Sequence, residues 1–379
     1  MNVDDEKQLS LSVIVPVYNM ADDDRLVHCM DSLVAQSLPR GSWELIAVDD
    51  SSTDASLEIL RDYERRFPEL VRVIASDRNR HQGGAKNLGL AVARGEWIGF
   101  IDADDWICPD YYERLLAAAE EQSADMAGCD YSMVDHYTFE PGSRVPNGSA
   151  GQAGTLDEER YRSLVLESGS LVVKIYRRYI IYGDRDPLTD PTAIGRTTPG
   201  GLPTVAIFPE DIFYEDNAVS CTWMLRAHAY AYIPEPLYYY YQHDASTVHS
   251  VTGRHLEDRL VSGRLILSEA REHGYYDRFR TELEFVFTSL FYVNTLFTAM
   301  PWHNRFPGVY RFVRELAREQ RETFPDFQTN PYYIERIHPE EKRLIAMQQR
   351  SCLLFYLYYR ALWAYRTIRK KLDTPDHPA

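Results

Sequence analysis

The sequence predicts an α/β chain: a parallel sheet with helices on both faces, followed by a helical C-terminal region. Three observations carry this. Short apolar runs rich in β-branched residues alternate with stretches of helical apolar spacing between Leu11 and Cys129. Two of those runs end in acid, at Asp49-Asp50 and at Asp102-Ala103-Asp104-Asp105. From His255 to Leu372 helical pattern dominates, and no internal repeat interrupts it.

The elements follow in order. Leu11 to Val17 is a strand, and Tyr18-Asn19-Met20 is the turn after it. Arg25 to Leu38 has helical spacing, with Leu26, Cys29, Met30 and Leu33 on one face. Leu45 to Val48 is a second strand, ending at Asp49-Asp50-Ser51-Ser52. Thr53 or Asp54 can cap the next helix, whose apolar face carries Leu57, Leu60 and Tyr63. Val71 to Ala75 is a third strand, Gly83 to Arg94 a helix, and Trp97 to Ile101 a fourth strand. Pro109 to Glu121 is another helix, and a fifth strand starts at Asp125 to Cys129. Pro141 to Gly154 is a loop by its Gly, Pro and Ser. Leu156 to Val173 returns to helical pattern before Lys174-Ile175-Tyr176-Arg177-Arg178. Gly183 to Thr204 is long for a connection within a domain, and loops of that length are usually functional or disordered. A helix opens at Phe213-Tyr214-Glu215-Asp216-Asn217 and runs to about Ala227. Ala229 to Ile233 is a short strand, and Pro236 to Gln242 is extended and aromatic.

Composition narrows the class. The chain has 379 residues, 45% apolar and 26% charged, which is ordinary for a globular protein of one large or two smaller domains. A net charge of -16 argues against a general nucleic-acid binder. Five scattered cysteines without a CxxC pair fit a reducing compartment. Met1 to Ser10 is acidic and polar, unlike a signal peptide, and no run reaches the roughly 18 apolar residues of a membrane span. These features predict a cytoplasmic protein.

In parallel α/β sheets the ligand lies beyond the carboxyl ends of the strands. Tyr18-Asn19, Asp49-Asp50 and Asp102-Ala103-Asp104 all fall there. Acid packed at a buried strand end is costly to folding, because like charges repel and burial penalises each. A hard divalent cation relieves that cost by taking carboxylate oxygens as ligands. The alternative for any isolated acidic turn is plain solvation; the convergence of three strand ends favours a site.

With SVIVPVYN (12–19), IAVDDSSTD (46–54), GGAKNLGLAVARGEWIGFIDADD (83–105), VKIYRR (173–178), FYEDNAV (213–219) and IPEPLYYY (233–240) in place, the chain resembles the family 2 glycosyltransferases of GT-A fold over roughly residues 10–250. The resemblance implies a Rossmann-like mixed, mostly parallel sheet in a catalytic domain over 1–250. Its nucleotide-sugar half would span about 10–130 and its acceptor half about 155–250, with a helical extension over 251–379. It implies an inverting transferase that takes a nucleotide-diphosphate sugar, a UDP-sugar in particular, and delivers the sugar to a hydroxyl of a glycan or lipid-linked acceptor. Bacterial surface polysaccharide is the implied setting.

The resemblance also implies roles for residues. Asp49-Asp50 would meet the base and ribose, with Asp50 favoured to accept the uracil imide N–H; alternatively Asp50 caps the following helix. Pro16 and Tyr18 would flank the base beside Asn19, although a tyrosine here could equally be core. Asp102 and Asp104 match the DxD, with Ala103 between them. Asp104 is expected to hold Mn²⁺ or Mg²⁺ and Asp102 to contact ribose or support the metal. Gly83-Gly84 would let backbone approach the donor at a helix N-terminus. Lys86 stands where many relatives have Arg and would serve as a point charge on a phosphate. Asp216 would be the general base and Glu215 its neighbour or an acceptor contact, the alternative being a capping acid pair. Lys174 and Arg177 could bind phosphate or acceptor, or pair with surface acids. His243 or His249 could join the metal or diphosphate, or be ordinary surface histidines.

Two other functions compete. A sugar-phosphate nucleotidyltransferase would carry a basic Gly-rich loop after its first strand, where this chain has the acidic VYNMADDD. A non-catalytic nucleotide-sugar binder or assembly partner need not keep both the DxD and the Glu215-Asp216 pair. Finally, residues 342–372 hold eight basic residues and no acid around an aromatic, leucine-rich stretch. This predicts docking on the inner face of the cell membrane. The alternative is that Leu353, Leu354, Leu357 and Tyr358 pack the helical region onto the catalytic domain or join two copies in a homodimer.

Overall fold

A computed structural model of the chain describes residues 9–194, 196–242, 252–301 and 308–373. It forms two compact units, Met1–Ser246 and Thr247–Ala379.

The first unit begins with β1 (Leu11–Val17), α1 (Arg25–Val34), β2 (Trp43–Asp49), α2 (Ser56–Arg66), β3 (Val71–Ala75), α3 (His81–Leu90) and β4 (Trp97–Phe100). Then come β5 (Trp106–Ile107), α4 (Tyr111–Glu121), β6 (Met126–Val134), β7 (Ser143–Val145), β8 (Gly154–Thr155) and α5 (Glu158–Leu166). It closes with β9 (Lys174–Arg177), α6 (Arg178–Tyr182), the hairpin β10 (Arg196–Thr197) and β11 (Pro203–Thr204), α7 (Glu215–Arg226) and β12 (Ala229–Tyr241).

Ten strands make one mixed sheet in the order β3-β2-β1-β4-β9-β6-β12-β5, with β7 on β6 and β8 on β12. β3, β2, β1 and β4 run parallel, placing Ile14 beside both Ile46 and Phe100. β9 runs antiparallel between β4 and β6. β1 is buried along its whole length because helices cover both faces of the sheet. Its alternate side chains enter two cores. Val13 and Val15 join Leu26, Leu33 and Leu60 from α1 and α2, while Ile14 joins Leu88 and Trp223 from α3 and α7.

Several boundaries differ from the sequence expectation. α1 stops at Val34, since Leu38 precedes Pro39 and the Gln36 amide bonds the carbonyls of Ser32 and Cys108. α3 starts at His81, whose N–H is taken by Asn79 Oδ1 at 3.0 Å. The two extended stretches near 229–242 form one strand, kinked by register shifts around Pro236, which has no N–H to give. The loops at 141–154 and 183–204 each contain short strands.

The second unit is helical: α8 (Gly253–Glu272), α9 (Arg280–Val286), α10 (Asn294–Ala299), α11 (Val309–Thr323), α12 (Pro331–Arg336), α13 (Pro339–Arg350) and α14 (Cys352–Asp373). A π-helical stretch, Phe287–Val293, joins α9 to α10. Phe291, Tyr292, Leu296, Val313, Leu316, Ile345 and Phe355 are among its buried side chains.

Candidate active site

The loops after β1 and β2 are stitched together. Asn19 takes a left-handed backbone, φ 52°, which asparagine tolerates. Its N–H donates to Ser52 Oγ at 3.0 Å, and its Oδ1 accepts from Thr53 N at 2.8 Å. Met20 N and Ala21 N donate to Ser56 Oγ and Asp54 Oδ2. Asn19 therefore positions these loops. Pro16 is buried in β1, whereas Tyr18 is an exposed ring at the strand end.

Asp49 and Asp50 are both buried but differently engaged. Asp50 receives the Arg80 N–H on its two oxygens, at 2.9 and 3.0 Å. It holds the chain entering α3 and does not cap α2. Burial, opposed by that bond and by Arg80, leaves its carboxyl raised to about 6. Asp49 Oδ2 accepts from Ser52 N at 3.2 Å, while its buried Oδ1 has no hydrogen-bond partner.

After β4, three carboxylates divide. Asp105 is fully buried and ties the turn to β12, accepting from Tyr238 OH at 2.6 Å and from Tyr241 N at 2.9 Å. Ala103 turns its methyl into the core. Asp102 Oδ1 is buried without a hydrogen-bond partner. Burial first, then Asp104, Glu215 and Asp216, push the Asp102 carboxyl up to about 7 against the pull of Lys86.

Glu215 and Asp216 open α7 directly after Tyr214, a non-glycine residue held at φ 63°. Lys86 Nζ lies 2.7 Å from Glu215 Oε1, with both side chains almost wholly buried. Burial lowers the Lys86 ammonium, but Glu215, Asp102 and Asp216 outweigh it and the net shift is upward. Burial, then Glu215, raise Asp216 to about 6 against Lys86. Asp102 and the acids of α7 thus share one electrostatic neighbourhood around the buried Lys86 ammonium.

Three expected donor contacts are engaged with protein. Lys86, expected as a point charge on a phosphate, is buried against Glu215. Gly83 and Gly84 lie inside the first turn of α3 and leave room for protein. A Cβ on Gly83 would stand 2.1 Å from the Pro209 carbonyl oxygen, and one on Gly84 2.2 Å from Arg80 Cβ. Lys174 donates to the carbonyls of Ser168 and Ser170 at 2.9 and 2.8 Å, and burial pulls its ammonium down to about 7. Arg177 pairs with Glu96 and lies over Trp97, the surface alternative. His243 and His249 lie outside the described residues.

Sequence inspection also missed the support beneath Glu215-Asp216. Asn87 bonds both backbone groups of Phe208 at 2.9 Å. Arg80 pairs with Asp77 and Glu210, Arg78 with Asp211, and Gly200 N donates to Asp77 Oδ2. The only local signal was the pair of oppositely charged runs, DRNR at 77–80 and PED at 209–211.

Among the described residues, no group of three or more His, Cys, Asp and Glu is positioned to hold a metal ion. Asp102 and Asp104 offer two carboxylates, one with an orphaned buried oxygen. That suits a cation that completes its shell with substrate phosphates and water, as Mg²⁺ does.

A family model described as glycosyl transferase family 2 matches residues 12–166. The chain is 30% identical over 282 residues to the putative glycosyltransferase EpsH of Bacillus subtilis, covering 73% of each. It is 30% identical over 240 residues to the uncharacterized glycosyltransferase YibD of Escherichia coli, covering 62% of each. A shorter match, 35% over 118 residues, joins 31% of this chain to 18% of poly(ribitol-phosphate) beta-glucosyltransferase of Bacillus spizizenii. The last two matches span less than two thirds of those relatives. Among solved structures, S. aureus TarS 1-349 in complex with UDP-GlcNAc aligns over 95% of this chain and 92% of that one, with TM-score 0.57 and 21% identity. That likeness extends to the fold.

Proposed function

The chain belongs to glycosyl transferase family 2, and from that premise we propose that it is an inverting glycosyltransferase of surface-polysaccharide biosynthesis. The donor is a nucleotide-diphosphate sugar, specifically a UDP-sugar. The acceptor is a hydroxyl of a glycan or a lipid-linked glycan at the cytoplasmic face of a membrane. One observation carries this reading: Asp102, Glu215 and Asp216 act on the buried Lys86, and Asp104 acts on Asp102, beyond the end of β4. The names of the poly(ribitol-phosphate) glucosyltransferase and of the UDP-GlcNAc complex of TarS support the polymer and the nucleotide.

Asp49 carries the uridine assignment better than Asp50, because its Oδ1 is buried and unsatisfied while both Asp50 oxygens already hold Arg80 N. An imide N–H fits that acceptor, and cytosine offers none. Asp104 and Asp102 would hold Mn²⁺ or Mg²⁺, which when bound neutralises charge on the diphosphate.

Asp216 accepts the proton of the acceptor hydroxyl. As it does, the acceptor oxygen bonds to the anomeric carbon from the face opposite the diphosphate. The carbon–oxygen bond to phosphate breaks, and the nucleoside diphosphate leaves with the electron pair. Glu215, held by Lys86, keeps Asp216 at the first turn of α7 and shares in raising its basicity. The test is UDP release from a panel of UDP-sugars, with divalent cation, with and without a glycan acceptor. Acceptor-dependent release that Asp216→Asn abolishes supports transfer. Donor binding without release in the parent would make the chain a binding module.

A further inference from the structure

α14 is amphipathic twice over. Phe355 and Tyr359 are buried on one side, while Leu353, Leu354, Leu357, Tyr358 and Tyr365 are 48–60% exposed on the other. At 100° per residue those five and Ala361 fall within an arc of about 140°. No charged residue between 353 and 365 lies in that arc. Arg360 and Arg369 fall just outside its two edges. A solvated helix carries polar side chains on its outer face, and a contiguous apolar strip there marks a contact surface.

We propose that this face of α14 lies in the headgroup layer of an anionic lipid membrane. Charge favours lipid over other occupants. Residues 342–372 carry eight basic residues and no acid, in a chain whose net charge is -16. A symmetric contact between two copies through this strip would bring both sets of bordering arginines together, like charge against like. An anionic surface instead meets apolar side chains and basic borders at once. The helix lies in the interface and does not cross it: among the described residues no helix is long and apolar enough to span a bilayer. Its 22 residues are about 33 Å long, enough to lay the whole strip flat. This docking stands independently of the chemistry proposed for the first unit.

The test is co-sedimentation of the full chain with phosphatidylglycerol vesicles and with phosphatidylcholine vesicles, without any nucleotide sugar. The parent should bind phosphatidylglycerol vesicles at low salt, lose that binding as salt rises, and bind phosphatidylcholine far less. Leu354→Glu with Leu357→Glu should weaken binding about tenfold or more at unchanged circular dichroism. If that pair disturbs the helix, Arg360→Gln with Arg369→Gln tests the charged borders instead, with the same direction of effect. Absence of parent binding to phosphatidylglycerol vesicles at low salt overturns the proposal. So does equal binding by folded variants, equal affinity for both lipids, or a parent dimer that the leucine variant converts to monomer while vesicles stay unbound.

Discussion

Lys86 and Glu215, 129 residues apart in sequence, form a buried ion pair of 2.7 Å that fixes the start of α7 to α3. Removing one partner strands the other charge in the interior, whereas removing both does not. Lys86→Met should therefore destabilise the protein by about 3–5 kcal/mol. The double substitution Lys86→Met with Glu215→Leu should recover only the share due to Glu215, because Asp102 and Asp216 also lose the ammonium. Urea unfolding of the four proteins in a double-mutant cycle checks it; additive losses would mean that the pair is uncoupled.

Activity and stability should oppose each other at Asp216. Its carboxyl is raised from the ordinary 3.8 to about 6, chiefly by burial. As a base it must be ionised, so transfer should fall as pH drops through about 6. Stability runs the other way. A carboxyl raised in the folded state contributes fully below its ordinary value and loses that contribution as pH rises through the folded one. Asp216→Asn should abolish transfer at pH 7 and raise Tm by a few degrees, about 1 kcal/mol. A pH–rate profile and thermal melts of both proteins decide it. A lowered Tm with transfer retained would make Asp216 a structural acid.

The two acids at the end of β2 should separate on substitution. Asp49→Ala should lose uridine nucleotide affinity by about 2 kcal/mol, roughly thirtyfold, while keeping Tm near the parent's. Asp50→Ala leaves the buried Arg80 N–H without its acceptor and should lower Tm first. Titration calorimetry with UDP beside thermal melts reads both. Loss of UDP binding in Asp50→Ala alone, at unchanged Tm, would return the imide contact to Asp50.

The hairpin β10–β11 is held near the strand ends by the Gly200–Asp77 hydrogen bond. Shortening the segment 186–201 should change acceptor use more than donor affinity, as expected of a loop that shapes an acceptor groove. Kinetics with two acceptors of different length check this; identical ratios would leave it a passive loop.

These contrasts show what sequence could and could not carry. β1 and β3 were legible to the residue because β-branched runs set strand limits locally. β9 was legible neither as a strand nor in its direction, because four residues carry little local pattern and strand polarity is set by partners. That Asp49-Asp50 and Asp102-Ala103-Asp104 both stand at the carboxyl ends of parallel strands followed from the alternating pattern. The division of labour within each cluster did not. Asp105 looked like its neighbours until Tyr238 and Tyr241 took both its oxygens. The protein neighbours of Lys86 and Gly83 were not legible, because Glu215 and Pro209 lie more than 120 residues away.

In the proposed function, Asp102 and Asp104 form a cation-dependent site for a nucleotide-sugar diphosphate. Thermal stability with and without a UDP-sugar and Mn²⁺, in the parent and in Asp104→Asn, tests it most directly, since a ligand that binds only the folded state must raise Tm. Tm should rise by several degrees in the parent only when UDP-sugar and Mn²⁺ are present together, and little or not at all in Asp104→Asn, whose ligand-free Tm stays near the parent's. An equal rise in Asp104→Asn, or a rise in the parent that is indifferent to Mn²⁺, would contradict it.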